Sequence, residues 1–186
     1  MISFSRRGIL KGDKMILKDE VIYRNPVPED AEEIVVFYNR VGGETTYLSF
    51  EENEYPLNVE EQKVSIISTD QQPNSVMILA IVEDQIIGLG TITSGNKIKA
   101  RHCGELGIVV TEKFQGKGIG SELIRRMIEW CKSNGITTKI QLDTRKDNTM
   151  AVELYKKFGF QIEGELKNTT LIDGKYYDLY VMGLML

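Results

Sequence analysis

The segment FQGKGIGSELI, which runs from Phe114 to Ile124, decides the fold of this chain. It alternates glycine with other residues at Gly116, Gly118 and Gly120. An apolar stretch typical of a β-strand precedes the glycines, and a helical pattern follows them. Glycine lets backbone N–H groups turn toward a ligand, and the N-terminus of a helix attracts anions. The segment therefore predicts a phosphate-binding loop between a strand and a helix.

Two common phosphate-binding motifs differ from this spelling. A P-loop reads G-x-x-x-x-G-K-S/T, whereas Gly118 follows Lys117 here. A dinucleotide-binding loop reads G-x-G-x-x-G, and Ser121 stands where its last glycine is required. A third phosphate loop, Q/R-x-x-G-x-G/A, fits in full at Gln115, Gly118 and Gly120.

Composition limits the class of protein. With 186 residues, 41% apolar and 27% charged, the chain is expected to form one domain over residues 19–186, after a leader at 1–18 without structure. Met15 is an alternative natural start. The net charge of −4 argues against a general nucleic-acid binder.

Metal sites and membrane spans are also not expected. The two cysteines form no C-x-x-C pair, so we expect no metal site. No apolar run approaches about 18 residues, so we expect no membrane span. A cytoplasmic protein with free thiols is the simplest interpretation.

The periodicities predict the order β-α-α-β-β-β-α-β-α-β-β. The strongest helix pattern places Ile119, Leu123 and Met127 four residues apart. Turns at 83–84 and 173–174 predict two hairpins. Two glycines inside HCGELGIVV indicate a β-bulge or a close backbone approach. The expected fold class is α/β (α+β): a mixed, mostly antiparallel sheet of about seven strands, with helices on both faces and one parallel pair around the glycine loop.

Two segments resemble the GNAT superfamily of acyl-CoA-dependent N-acyltransferases. The first is ELGIVVTEKFQGKGIGSELIRRMIEW, and the second is NTMAVELYKKFGF. The second resembles the superfamily segment N-x-x-A-x-x-L-Y-x-K-x-G-F at Asn148, Ala151, Leu154, Tyr155, Lys157, Gly159 and Phe160. The resemblance covers about Val21 to Leu186 and implies a GNAT-type fold.

The resemblance implies that the loop receives the pyrophosphate of acetyl-CoA. Its backbone N–H groups from Gln115 to Gly120 would face the anion, and side chains at Gly118 or Gly120 would displace it. The pantetheine arm would enter between two splayed strands and pair with one strand's backbone, with a bulge at Gly107. Asn148 would contact this arm or a water near it, or serve only as a helix N-cap. The implied cofactor-binding residues are Ile108, Val109, Val110, Gln115, Gly116, Lys117, Gly118, Ile119, Gly120, Ser121 and Asn148.

The resemblance also implies direct attack of a neutral amine on the acetyl thioester. Tyr155 would protonate the departing thiolate, unless it is only a packing residue on an amphipathic helix. The backbone N–H of Val110 or a neighbour would stabilise the oxyanion. Glu105 would take the amine's proton through water if it lies in a half-buried cleft, or would merely face solvent.

The resemblance further implies that the segment joining the first two helices, GETTYLSFEENEYPLNVEE at residues 43–61, borders the acceptor side of the cleft. It contains six glutamates and no lysine or arginine, which favours a small cationic amine. Glu44, Tyr47 and Glu52 are the substrate-binding candidates, although acidic loops are commonly just solvated. The predicted function is an N-acetyltransferase of a primary amine. The alternatives are a peptide N-terminal or ribosomal-protein-type acetyltransferase, or a non-catalytic acyl-CoA sensor. A homodimer is compatible with the sequence.

Overall fold

The computed structural model describes residues 21–186, so the expected leader at 1–18 lies outside the described residues. A seven-stranded sheet has the order β1-β2-β3-β4-β5-β7-β6. Its strands are β1 (Ile22–Arg24), β2 (Val76–Val82), β3 (Gln85–Ser94), β4 (Cys103–Val110), β5 (Lys139–Arg145), β6 (Gln161–Ile172) and β7 (Lys175–Met185). All neighbours are antiparallel except β4 and β5, which confirms the predicted class and the single parallel pair.

In the described part of the chain, four α-helices cover the two faces of the sheet. They are α1 (Ala31–Glu44), α2 (Val59–Gln71), α3 (Ile119–Ser133) and α4 (Thr149–Lys157). Apolar residues of α1 and α2 form one core with β2 and β3, around Ile34, Phe37 and Leu79. Apolar residues of α3 and α4 form the other core with the opposite face, around Leu123 and Met127. The prediction of helices on both faces is confirmed.

Both predicted hairpin turns are present. Glu83 and Asp84 have φ values of 48° and 61°, and Asp173 and Gly174 have φ values of 48° and 75°. Positive φ at both central residues is the geometry that matches the right-handed twist of two paired strands. These local sequences therefore set the registers of β2 with β3 and of β6 with β7.

The sheet divides between β4 and β5. Their parallel pairing covers only Cys103 to Glu105, opposite Lys139 to Gln141. β4 nevertheless continues to Val110 on β3, and β5 continues to its end on β7. The two strands thus diverge toward their C-terminal ends, and we call the space between them the gap.

The expectation of a β-bulge at Gly107 is wrong. The register of β3 with β4 is unbroken from Ser94 opposite Gly104 to Gly88 opposite Val110. The glycines instead allow close approach, because a Cβ on Gly107 would lie 2.8 Å from Thr91 Oγ1. The gap opens because β4 and β5 separate, without an inserted residue.

Within residues 21–186, no helix has both the length and the apolar character needed to cross a membrane.

Candidate active site

The glycine loop joins β4 to α3 and has the backbone geometry that only glycine adopts readily. Gly116 has φ of 70°, and Gly118, the N-cap of α3, has φ of 85°. A Cβ at either position would meet no atom within 4 Å. The glycines are therefore required by their left-handed backbone, and the space beside them is open to a ligand.

Unpaired backbone N–H groups line this space. From Gly116 through Ser121, no N–H donates to another group of the described chain, and the series ends where Glu122 N–H donates to Gly118 O at 3.0 Å. Gln115 was expected to belong to the series, but its N–H donates to Glu112 O at 3.1 Å. The stretch from Gly116 to Ser121, at the positive end of α3, can accept a phosphate group.

Side chains hold the loop in place. Gln115 Nε2 donates to Val110 O at 3.1 Å, which ties the loop to the end of β4. Lys117 Nζ lies 5.1 Å from the centre of the Phe114 ring. Gly120 does not face the open space, because a Cβ there would lie 3.6 Å from Leu154 Cδ2 on α4. We expected position 120 to be glycine so that phosphate has room. This expectation is wrong, because a side chain there would point at Leu154 and not into the open space.

The end of β4 presents backbone groups to the gap. Thr111 N–H donates to Ile87 O on β3 at 3.0 Å. Because successive N–H groups of a strand point to opposite edges, the N–H groups of Ile108 and Val110 point away from β3, toward the gap. The side chains of these residues are half-buried and pack against the α3–α4 core, while Val109 packs against the α1–α2 core.

Tyr155 lies on α4 and is 7% exposed. Its ring contacts Phe160 edge to face at 5.8 Å, and burial raises its pKa to about 12. Its hydroxyl donates to no group in the described part of the chain. It is therefore a protonated donor without a protein acceptor, on the face of the sheet that α3 and α4 cover.

Asn148 is the N-cap of α4. Its Oδ1 accepts the Ala151 N–H at 3.2 Å, which is the alternative that the sequence left open. Its amide nitrogen donates to no group within residues 21–186. A cosubstrate contact through that nitrogen stays a prediction.

Glu105 occupies the last paired position before the gap, opposite Thr93 on β3 and Gln141 on β5. Of the two alternatives that the sequence left open, a half-buried cleft and a solvent-facing position, the structure shows the exposed one, and the Glu105 carboxylate has no protein partner in the described residues. Alternation along β4 places it on the face of Val109, opposite the face of Tyr155. The gap thus has the tyrosine on one side and the carboxylate on the other.

The acceptor-side candidates lie in different surroundings. Glu44 is not free to bind an amine, because its Oε2 accepts the Glu112 N–H at 2.8 Å and its Oε1 lies 3.7 Å from Arg40 Nε. Glu52 is exposed, and Tyr47 is 46% exposed. Two other aromatic residues of the segment 43–61 pack on α1: Tyr55 stacks on Tyr38 with ring centres 4.3 Å apart, and Phe50 meets both edge to face.

Sequence reasoning missed Arg145. It ends β5, is only 6% exposed, and contacts the segment after α1 through Thr46 and Tyr47. Nothing in the stretch DTRKDN distinguishes it from a solvated charge. Its contact with Thr46 spans 99 residues, so only the folded chain reveals it.

Comparison with known proteins identifies the family. Residues 44–160 match the model of the acetyltransferase (GNAT) family, and this range is more than half of the chain. The chain belongs to the GNAT acetyltransferase family. A GNAT-family acetyltransferase from Streptococcus pneumoniae is 35% identical, with a TM-score of 0.88 over 90% of this chain and 100% of that one.

Two curated relatives of this GNAT protein have named substrates. L-amino acid N-acetyltransferase AaaT of Escherichia coli (strain K12) is 33% identical over 60% of this chain and 68% of its own length. Spermidine N(1)-acetyltransferase of Vibrio cholerae is 32% identical over 56% of this chain and 61% of its own length. Family membership makes this protein an acyl-CoA-dependent N-acetyltransferase that uses acetyl-CoA as cosubstrate.

Proposed function

We propose that this GNAT protein transfers the acetyl group of acetyl-CoA to a primary amine of a small cationic molecule, such as a di- or polyamine. The observation that carries the proposal is the charge around the gap on the face of Glu105. Glu105 and Asp143 share this face of β4 and β5, and Glu51, Glu52 and Glu54 lie in the segment that packs beside the end of α1; all five carboxylates are exposed and have no ion-pair partner within residues 21–186. Uncompensated negative charge attracts a polycation and repels an anion.

A zwitterionic amino acid is the second candidate, because one relative carries that activity in its name. Its carboxylate would need a cation near the gap. Arg145 ends β5 beside the gap on this face, but Asp147 already binds its guanidinium through two hydrogen bonds, at 2.9 and 2.6 Å. The charge balance therefore favours the polyamine, in agreement with the spermidine-acetylating relative.

In the proposed reaction the amine attacks the thioester carbonyl within the gap. Pyrophosphate binds the N–H groups from Gly116 to Ser121, and the pantetheine arm pairs with the gap-facing backbone of β4. The Val110 N–H donates to the developing oxyanion. The C–S bond breaks as the C–N bond forms, and Tyr155 gives a proton to the departing sulfur.

The amine must also lose a proton, since an ammonium ion has no lone pair. Glu105 is the candidate acceptor, directly or through water, because its carboxylate stands free at the start of the gap on the acceptor side. We expect Glu105→Gln to lower kcat/KM for the amine, most strongly at low pH, where more of the amine is protonated. A pH series of initial rates checks this. An unaltered pH profile in the variant would remove Glu105 from this role.

The substrate class is tested with a panel of spermidine, putrescine and L-amino acids, in which thiol release is matched to the N-acetylated product by mass spectrometry. We expect the polyamines to give the highest kcat/KM, and we expect this kcat/KM to fall as salt is added, because salt screens the attraction between charges. The double variant Glu51→Gln, Glu52→Gln should raise the KM for spermidine several-fold at low salt. The KM should also depend less on salt in this variant, because the carboxylates whose attraction salt would screen have been removed.

The matched control is Glu29→Gln, Glu32→Gln. These exposed carboxylates lie at the other end of α1, so the net charge changes equally while the charge near the gap is kept. Equal KM changes in the two double variants would show that only net charge matters. A zwitterionic best acceptor would contradict the proposed substrate class.

A further inference from the structure

Residues 44–47 cross the open end of the gap, and we call them the strap. At one end, Glu44 Oε2 accepts the N–H of Glu112, two residues beyond β4, at 2.8 Å. At the other end, Arg145 Nη1 at the end of β5 donates to Thr46 O at 2.8 Å. Because β4 and β5 diverge, these two contacts connect strand ends that have no hydrogen bond to each other.

The Arg145 guanidinium is held on every side. Asp147 binds it through two hydrogen bonds, and Thr46 Oγ1 lies 3.3 Å from Nη1. The Tyr177 ring of β7 lies 3.9 Å from the guanidinium carbon, and the Tyr47 ring of the strap lies 4.8 Å from it. A planar cation can stack on aromatic rings while its edge donates hydrogen bonds, which an ammonium group cannot match.

This arrangement does more than neutralise a buried charge. Asp147, two residues along the chain, already supplies the opposite charge. The adjacent Lys146 pairs with Glu165 and stays exposed, so the strand end does not require a buried cation. The distinct contribution of Arg145 is to fix the strap, with Tyr47 on its surface, beside the gap.

We propose that Arg145 is a positioning residue for the acceptor amine: through Thr46 and Tyr47 it holds the strap over the gap, so that the acceptor is confined next to the thioester. The proposal rests on the proposed function in placing the acceptor on this side of the gap. Arg145 does not touch the reacting atoms. Its loss should therefore weaken acceptor binding while acetyl-CoA, held by the glycine loop and β4, binds as before.

The test compares Arg145→Gln with Lys146→Gln, a neighbouring change of equal charge that leaves the strap intact. With spermidine as acceptor, we expect Arg145→Gln to raise the KM for the amine by roughly tenfold, the effect of losing about 1.4 kcal/mol of binding. The KM for acetyl-CoA should stay unchanged, and Lys146→Gln should behave like the wild type. Hydrogen–deuterium exchange of residues 44–47 should rise in Arg145→Gln alone.

A second variant, Tyr47→Leu, keeps the test decisive if Arg145→Gln does not fold. It removes one ring from the guanidinium while Asp147 and Tyr177 remain, and it should raise the KM for the amine with the KM for acetyl-CoA unchanged. In the double variant with Arg145→Gln the two effects should not add, because both act through the strap. A faster-exchanging strap with an unchanged KM for the amine would overturn the proposal.

The proposed substrate class can be disproved independently of the proposed role of Arg145. If the wild type prefers a zwitterion such as L-alanine, the polyamine proposal is wrong, and the same variants are then compared with L-alanine. A parallel rise in the KM values for amine and acetyl-CoA would show that Arg145 supports the fold in general, and would also overturn its role as a positioning residue.

Discussion

Replacing Tyr155 by phenylalanine is expected to lower kcat by roughly ten- to a thousandfold, the range for loss of a general acid. The hydroxyl is a buried donor with no acceptor in the described chain, and its pKa of about 12 keeps it protonated well above neutral pH. Single-turnover kinetics with acetyl-CoA and spermidine measure the chemical step. Because the phenol stays protonated, the loss should be the same throughout the neutral pH range.

The matched control is Tyr23→Phe, which removes the same atom from a half-buried tyrosine on β1, at the far edge of the sheet from β5. It should leave kcat unchanged. The affinity for acetyl-CoA should be similar in both variants. If the single-turnover rate of Tyr155→Phe equals that of the wild type, Tyr155 is a packing residue against Phe160 and gives no proton.

Replacing Gly118 by glutamate is expected to abolish binding of acetyl-CoA. The new side chain would extend into the open space of the loop. Its carboxylate would occupy the site beside the unpaired N–H groups where the phosphates of acetyl-CoA are expected to bind. Part of the cost is strain, because Gly118 has φ of 85° and a left-handed residue with a side chain costs roughly 1–2 kcal/mol. Isothermal titration calorimetry of the folded variant measures its affinity for acetyl-CoA.

The control variant Gly135→Glu distinguishes the effect of backbone strain from the effect of a carboxylate that repels the phosphates. Gly135 has φ of 70°, and a Cβ at this position would meet no atom within 4 Å, but it lies beyond the C-terminus of α3, far along the helix from the loop. Both variants should lose similar free energy of unfolding in urea, and only Gly118→Glu should lose acetyl-CoA. Wild-type affinity in a folded Gly118→Glu protein would show that the loop does not hold the phosphates.

Local sequence patterns predicted the elements that depend on neighbouring residues. The helix after the glycine loop, both tight turns and the N-cap at Asn148 follow from side chains a few positions apart. The order of these elements was sufficient to predict the mixed sheet. The bulge at Gly107 was wrong because glycine serves a bulge and a close approach equally well, and the sequence does not show that Thr91 stands opposite.

The acceptor side was harder to predict, because its key contacts join distant parts of the chain. Glu44 reaches Glu112 across 68 residues, and Arg145 reaches Thr46 across 99. From sequence, Glu44 was one of several equivalent acids and Arg145 was one charge in a polar turn. Their roles depend on the divergence of β4 and β5, which no periodicity reveals.

The central claim is that acetyl-CoA binds along the gap, with its pyrophosphate on the loop. A titration of isotope-labelled protein with acetyl-CoA, followed by amide NMR, tests it residue by residue. We predict that the amides from Gly116 to Ser121, together with those of Ile108 and Val110, shift and become protected from exchange. The amides of Gly135 and Gly174 should stay unchanged. Saturating binding that leaves the loop and the end of β4 unperturbed would contradict the account.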